Sequence, residues 1–267
     1  MKILYRVANA KVGLPVMPRN EKDPARQFGN LRGARSVLSK RIANIRIGMR
    51  ELINSFNPVQ VTTNAKKYVY ELDADRYNQV NLFIQRLLYK ELLDSESGQY
   101  SSLFWLIRNL AIAYEDGTDD ALQSAKNMAQ PDIVGDELSE QMRSIQIEQI
   151  QFSPAYQRRV GLVYARVFNE MKGLTDSSKT DLAETLARGM ANGEGIRQIT
   201  KDVLARVDVV ESRAWRIART EILNAYRTAS WDETDELNKD VYGDSEWQMR
   251  ELWWSALSPT TRISHAK

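Results

Sequence analysis

Few residues in this chain are equipped for chemistry, and those few narrow the options. There is no Cys and a single His, His265. A disulfide framework, a thiolate zinc site and a Cys nucleophile are excluded, and a His-based triad or metal centre lacks its residues. Carboxylate and guanidinium groups remain, most suggestively in Ala218-Arg219-Thr220-Glu221-Ile222. At about 100° per residue, a helical stripe through Trp215, Ala218, Ile222, Ala225 and Ala229 leaves Arg219 and Glu221 about 80° to either side. Neither has an opposite charge three or four residues away, so each should find a partner on another element. A solvated pair, a structural ion-pair anchor and a catalytic Glu221 all fit that geometry. No second convergent acid accompanies Glu221, so no catalytic, cofactor-binding or metal-ligating residue is assigned, and the protein is expected not to be an enzyme.

Two further segments imitate functional motifs. Asn192-Gly193-Glu194-Gly195 has the glycines of a phosphate cradle but lacks a preceding strand and a Walker lysine, which makes it a helix–helix turn. The acids Asp232, Glu233, Asp235, Glu236, Asp240, Asp244 and Glu246 lack the calcium-loop pattern and read as a solvated, mobile loop. Five of the six Trp residues fall between positions 215 and 254. Adjacent Trp253 and Trp254 must point different ways, so one can face an interface.

Charge supplies the clearest binding signal. The net charge is only +2, yet residues 1–50 hold 12 Lys or Arg against Glu21 and Asp23, a local +10 on a body of −8. The expected binding elements are Arg19, Arg26, Arg32, Arg35, Lys40, Arg41, Arg46 and Arg50. Such an arm suits a polyanion or an acidic protein surface. A membrane surface suits it less, because the apolar seam carries no aromatic residue but Phe56 and there is no lipidation signal.

The elements that must position these residues are mainly helical. The length allows one large domain or two ordinary ones, and 43% apolar with 27% charged residues describes a folded protein. The longest apolar run, Leu103 to Ile107, is too short to span a bilayer, and Arg6 interrupts the only leader-like start, so an intracellular, soluble protein is expected. Residues 1–30, with Pro15, Pro18 and Pro24, read as an extended basic arm. Leu38, Ile42, Ile45, Met49, Leu52 and Phe56 then recur at spacings of 3 and 4, predicting a helix from about Leu31 to Asn57-Pro58 that docks on the body. Val59 to Leu72 predicts a short hairpin or a linker. Further helices are expected over about 77–94, 100–114, from a Thr118 cap to Pro131, and from about 138 to Ser153. A helix opened by Ser153-Pro154 should stop at Gly173, followed by shorter ones around Leu182–Met190, Ile196–Val203 and Trp215–Ala229. The expected fold is thus a mainly α, multi-helix bundle of eight or nine helices, with an extended basic N-terminal arm and little β. The expected segments are an arm (1–30), an N-terminal helical region (31–130), a helical core (131–240) and the start of a C-terminal region (241–267).

Several of these pieces, in this order, resemble the minor head proteins, or head-morphogenesis proteins, of Mu-type tailed bacteriophages. They are the Asp23-Pro24 start with its basic helix to Arg50, and Phe104-Trp105 leading to Ala113-Tyr114-Glu115-Asp116-Gly117. Leu186 to Gly193 then gives a glycine turn, and Arg213-Ala214 leads into Ile217-Ala218-Arg219-Thr220-Glu221. Last comes Trp253 to Leu257 with Thr261-Arg262-Ile263-Ser264-His265. The resemblance spans roughly residues 23 to 265 and is strongest over 180–230. Ser258 and Thr260 stand where the family has Asp and Arg, and the chain reaches Lys267 within what is usually the start of a further C-terminal region, as a truncated or divergent member would. The resemblance implies a few-copy structural protein bound to the portal, inside the head near the portal vertex and in the host cytoplasm during assembly. It implies a part in head assembly, genome packaging or ejection. Its implied partners are the portal protein, a major capsid or scaffold protein, and packaged double-stranded DNA contacted non-specifically. It assigns Arg219, Thr220, Glu221, Arg262 and His265 to fold-holding roles and implies no cofactor. The alternative is a nucleic-acid-processing or ADP-ribosyl-transferring enzyme associated with the head.

Overall fold

Apolar residues at helical spacing bury one stripe of every long helix, and the chain is mainly α for that reason. The structure, a computed structural model, describes residues 2–6, 23, 25–61, 68–71, 73–243 and 245–251. Among them are eight helices and four short strands, in the order β1 (Lys2–Arg6), α1 (Phe28–Asn54), β2 (Val59–Gln60), β3 (Tyr68–Val69), α2 (Ala74–Leu93), α3 (Ile107–Met128), α4 (Pro131–Val134), α5 (Asp136–Ser144), α6 (Ile147–Gln151), α7 (Pro154–Ala191), α8 (Ile196–Asp240) and β4 (Trp247–Glu251). No helix of the described residues is long and apolar enough to cross a membrane.

The chain forms two compact units, each assembled from separate stretches of sequence. Among the described residues, one contains those up to Asn30, Leu110–Gly161 and those from Ile222 onward; the other contains Leu31–Asn109 and Leu162–Glu221.

In the second unit, α1 buries Leu38, Ile42, Ile45, Met49 and Ile53, and Phe56, just past its end, is buried as well. The seam thus passes through Ile53 where the sequence suggests Leu52, which is half-buried. Helices α1 and α2 approach so closely at Gly48 that an added Cβ would lie 2.7 Å from the Leu87 side chain. Tyr89 of α2 donates to Asp176 of α7 at 2.7 Å, and Phe104 packs edge-on against Phe168 with centroids 5.4 Å apart. The β-prone stretch after α1 pairs as a two-residue antiparallel ladder, β2 with β3.

In the first unit, α3 crosses the last turns of α8. Gly117 sits at the crossing, where a Cβ would lie 2.2 Å from the Tyr226 carbonyl oxygen. One turn to either side, Tyr114 donates to Asp232 and Tyr226 to Asp120, both at 2.7 Å. Below the crossing, Leu122, Ala125, Met128, Val134, Met142, Leu237, Val241, Tyr242 and Met249 form a continuous core. Strand β1 pairs in parallel with β4, Lys2 opposite Trp247 through Arg6 opposite Glu251. Asn238 of α8 fixes that strand, donating to the Met249 carbonyl at 2.9 Å and accepting from its N–H at 2.7 Å.

Several boundaries differ from the sequence reading, for one physical reason. The helices expected over 100–114 and from Thr118 are a single α3 that starts only at Ile107. Gly117 lies inside that helix, and Thr118 is buried within it rather than capping it. Gly173 does not stop α7, which runs 38 residues. The helices expected near 196–203 and 215–229 are one 45-residue α8, which absorbs most of the acidic stretch read as a loop. A glycine costs a helix about 1 kcal/mol, an amount that burying one more turn recovers. Polar residues inside α7 are accommodated by bonding to their own helix: Thr175 donates to the Met171 carbonyl and Ser178 to that of Leu174, each at 2.7 Å. The N-terminal segment is extended at Lys2–Arg6, but as a paired strand. Helix α1 begins three residues before Leu31, where the Asp23 carboxylate accepts from the N–H groups of Gln27 (2.8 Å) and Phe28 (3.0 Å).

Candidate functional site

Helix α1 carries most of the expected cations, and its buried seam decides which of them can reach a partner. Arg35 pairs with Glu211 of α8 at 3.1 Å and lies 5.2 Å above the Trp215 ring. Arg46 binds Asp208 at 2.7 Å and Glu211 at 2.8 Å. The hydrogen bond that the guanidinium donates to Asp208, and then the one it donates to Glu211, raises its pKa further. Arg41 binds Asp94 and the Glu91 carbonyl, both at 2.9 Å. Arg26 pairs with Asp120 of α3. Each of these four cations is thus paired with a carboxylate of another segment. Arg32, Lys40 and Arg50 are exposed and form no ion pair among the described residues. Arg19 lies outside the described residues.

The Arg219-Thr220-Glu221 motif is divided by the helix surface. Glu221 is 5% exposed and accepts from Arg166 of α7 at 2.6 Å. Its charge, second to burial itself, raises the pKa of nearby Glu170. Arg219 and Thr220 face solvent, and Arg219 forms no ion pair among the described residues. Arg262 and His265, like Trp253 and Trp254, lie outside the described residues.

The 192–195 loop is a turn between α7 and α8. Its N–H groups are already occupied, Gly193 with the Met190 carbonyl and Glu194 with that of Gly189, each at 3.0 Å. Its carbonyls accept from the Tyr68 N–H at 3.1 Å and the Tyr70 hydroxyl at 2.6 Å. A phosphate cradle presents free N–H groups, and these two are taken.

A cluster that the sequence reading missed lies in the first unit. Arg159 of α7 stands 3.4 to 3.6 Å from carboxylate oxygens of Asp232, Glu233 and Glu236 on α8. Glu233 is 3% exposed, and its Oε2 has no hydrogen-bond partner. Burial is the main cause that pushes its pKa up to about 7, against an attraction from Arg159 that only partly compensates. Burial and the bond to Asp232 likewise raise the Tyr114 hydroxyl far above its ordinary value. Glu233, Glu236 and Asp240, with Arg159, line a cleft of about 450 Å³. The signal was present in the sequence, since Glu233, Glu236 and Asp240 recur at spacings of 3 and 4 on one helix face. Among the described residues, no group of three or more His, Cys, Asp or Glu side chains could hold a metal ion.

The chain matches a family model described as Phage Mu protein F like protein over residues 180–267, about a third of its length. That segment takes in the end of α7, the turn, α8 and β4, and it supports the resemblance to the Mu-type phage head-protein family. No curated protein and no solved structure matches the chain.

Proposed function

We propose that this chain is a structural protein of a tailed-phage head that supports head morphogenesis. The observation that carries the reading is the family match over residues 180–267, within which Arg219-Thr220-Glu221 lies. The charged residues of the described helices support it: Arg35, Arg46, Arg159 and Arg166 each bind carboxylates on another helix. Such pairs fix register between helices, a use suited to a protein that holds and connects. The proposed role is non-enzymatic. Its finer form places the protein in the virion interior at the portal vertex, where it binds the portal protein during assembly, packaging or ejection.

Residues 1–50 cannot be deleted as a unit to test portal binding, because Leu31, Leu38, Ile42, Ile45 and Met49 belong to the core. Reversal of the exposed charges Arg32, Lys40 and Arg50 to Glu leaves that core intact. Mass spectrometry of purified virions should find the protein at a few copies per portal ring, and the triple reversal should abolish co-purification with the portal protein. Absence of the protein from virions refutes the reading. An enriched but portal-independent protein refutes only the finer form.

A further inference from the structure

Between positions 205 and 220, α8 presents nine exposed residues: Ala205, Arg206, Asp208, Val209, Ser212, Arg213, Arg216, Arg219 and Thr220. Four are arginines, and none of these four forms an ion pair among the described residues. Their spacings of 7, 3 and 3 place them within an arc of about 140° and along about 20 Å of helix. The opposite side of the helix is buried through Val203, Val207, Val210, Ala214 and Ala218.

The acids of the same stretch are neutralised from other helices. Asp208 and Glu211 are bound by Arg46, with Arg35 also on Glu211, and Glu221 is bound by Arg166. Asp202, one turn before Arg206 and outside this stretch, accepts from the neutral Gln198 amide at 2.8 Å and keeps its charge. Nothing on α8 between 205 and 220 therefore offsets the four arginines. An even mixture of charge would be ordinary solvated surface; a one-sided face is an electrostatic footprint.

From this face we infer that α8 binds the phosphate backbone of double-stranded DNA through Arg206, Arg213, Arg216 and Arg219. Chemistry favours DNA over an acidic protein. A protein interface needs a desolvated apolar or aromatic centre, and the only exposed apolar side chain of any size here is Val209. The cations are all Arg, whose planar fork fits phosphate oxygens. A 20 Å face spans about six phosphates of one strand at about 3.4 Å each. The contact is sequence-independent, since exposed arginines on a convex helix reach phosphates without entering a groove. This inference stands on α8 alone and does not depend on the head-protein reading.

The test is fluorescence anisotropy of a labelled 30-base-pair duplex with the full chain, titrated with salt. Four phosphate contacts predict a log–log slope of about −3.6, so affinity should fall about 150-fold between 50 and 200 mM salt. The variant R206Q/R213Q/R216Q/R219Q, verified as folded by circular dichroism, should lose this binding and its salt dependence. R32Q/K40Q/R50Q, which removes the exposed cations of α1, should retain both. Unchanged DNA binding by the α8 variant, loss confined to the α1 variant, or a salt-independent affinity each overturns the inference. So does equal, competitive binding of poly-glutamate, which would make the face a site for acidic protein. Virion incorporation is read separately, so failure here leaves the head-protein reading untouched.

Discussion

Gly117→Ala and Gly173→Ala make the same chemical change in two helix interiors and should shift stability in opposite directions. An Ala is worth up to about 1 kcal/mol over Gly inside a helix, and this gain applies at both sites. At Gly173 nothing lies within 4 Å of the added methyl, so the gain stands alone. At Gly117 the methyl would lie 2.2 Å from the Tyr226 carbonyl oxygen and 3.0 Å from Ala229 Cβ. An ordinary contact to oxygen is about 3.3 Å, so the two helices must separate by about 1 Å. The obstacle is backbone, which cannot rotate away, and the Tyr114–Asp232 and Tyr226–Asp120 bonds one turn to either side resist the separation. Overpacking of this kind costs about 3 kcal/mol, leaving a net loss of about 2 kcal/mol after the propensity gain. Urea unfolding followed by circular dichroism should show a lower midpoint for Gly117→Ala and an equal or higher one for Gly173→Ala. A Gly117→Ala protein at least as stable as the parent would refute the close crossing of α3 and α8.

Other outcomes follow from the buried polar groups. Glu233 has its pKa raised from 4.5 to about 7, so its protonated form stabilises the fold; that contribution is complete below pH 4.5 and is lost as pH rises through 7. The loss amounts to at most about 3 kcal/mol, and urea midpoints of Glu233→Gln should fall less than those of the parent between pH 5 and 8. A parent with no steeper decline than the variant contradicts the buried carboxyl. The Tyr242 hydroxyl is buried without a hydrogen-bond partner, so Tyr242→Phe should raise stability by about 1 kcal/mol in the same assay. Arg166→Ala should cost about 1 to 2 kcal/mol, a figure discounted for the half-exposed guanidinium, and more than Glu221→Gln, which keeps a hydrogen-bond acceptor for Arg166. Glu211→Gln weakens its bonds to both Arg35 and Arg46 and should cost about 1 kcal/mol at low salt and less at 1 M.

The helical class, the seam of α1 and the start of α7 were legible because each rests on local spacing. Pro154 opens α7 and the Ser153 hydroxyl accepts from the Tyr156 N–H at 3.2 Å, an arrangement readable from two adjacent residues. The expectation that Glu221 would seek a partner on another helix was also a local deduction. That the partner is Arg166, 55 positions earlier, was not.

What the sequence determined alone is the inventory: no thiol, one imidazole, helical periodicity, and a surplus of cations in the first 50 residues. Tertiary structure decided which of those cations are available. Arg26, Arg35, Arg41 and Arg46 belong to the apparent arm in sequence, yet their charges are bound by carboxylates of later segments. The arginines of α8 looked balanced by Asp208, Glu211 and Glu221 until those acids were drawn to other helices. Glycines were decided in the same way, since Gly173 reads as a helix stop yet lies inside α7, and Gly117 serves as a crossing point. The physical reason is common to all three. Charge and space are settled by neighbours distant in sequence, whereas helix period is settled by the residue four positions away.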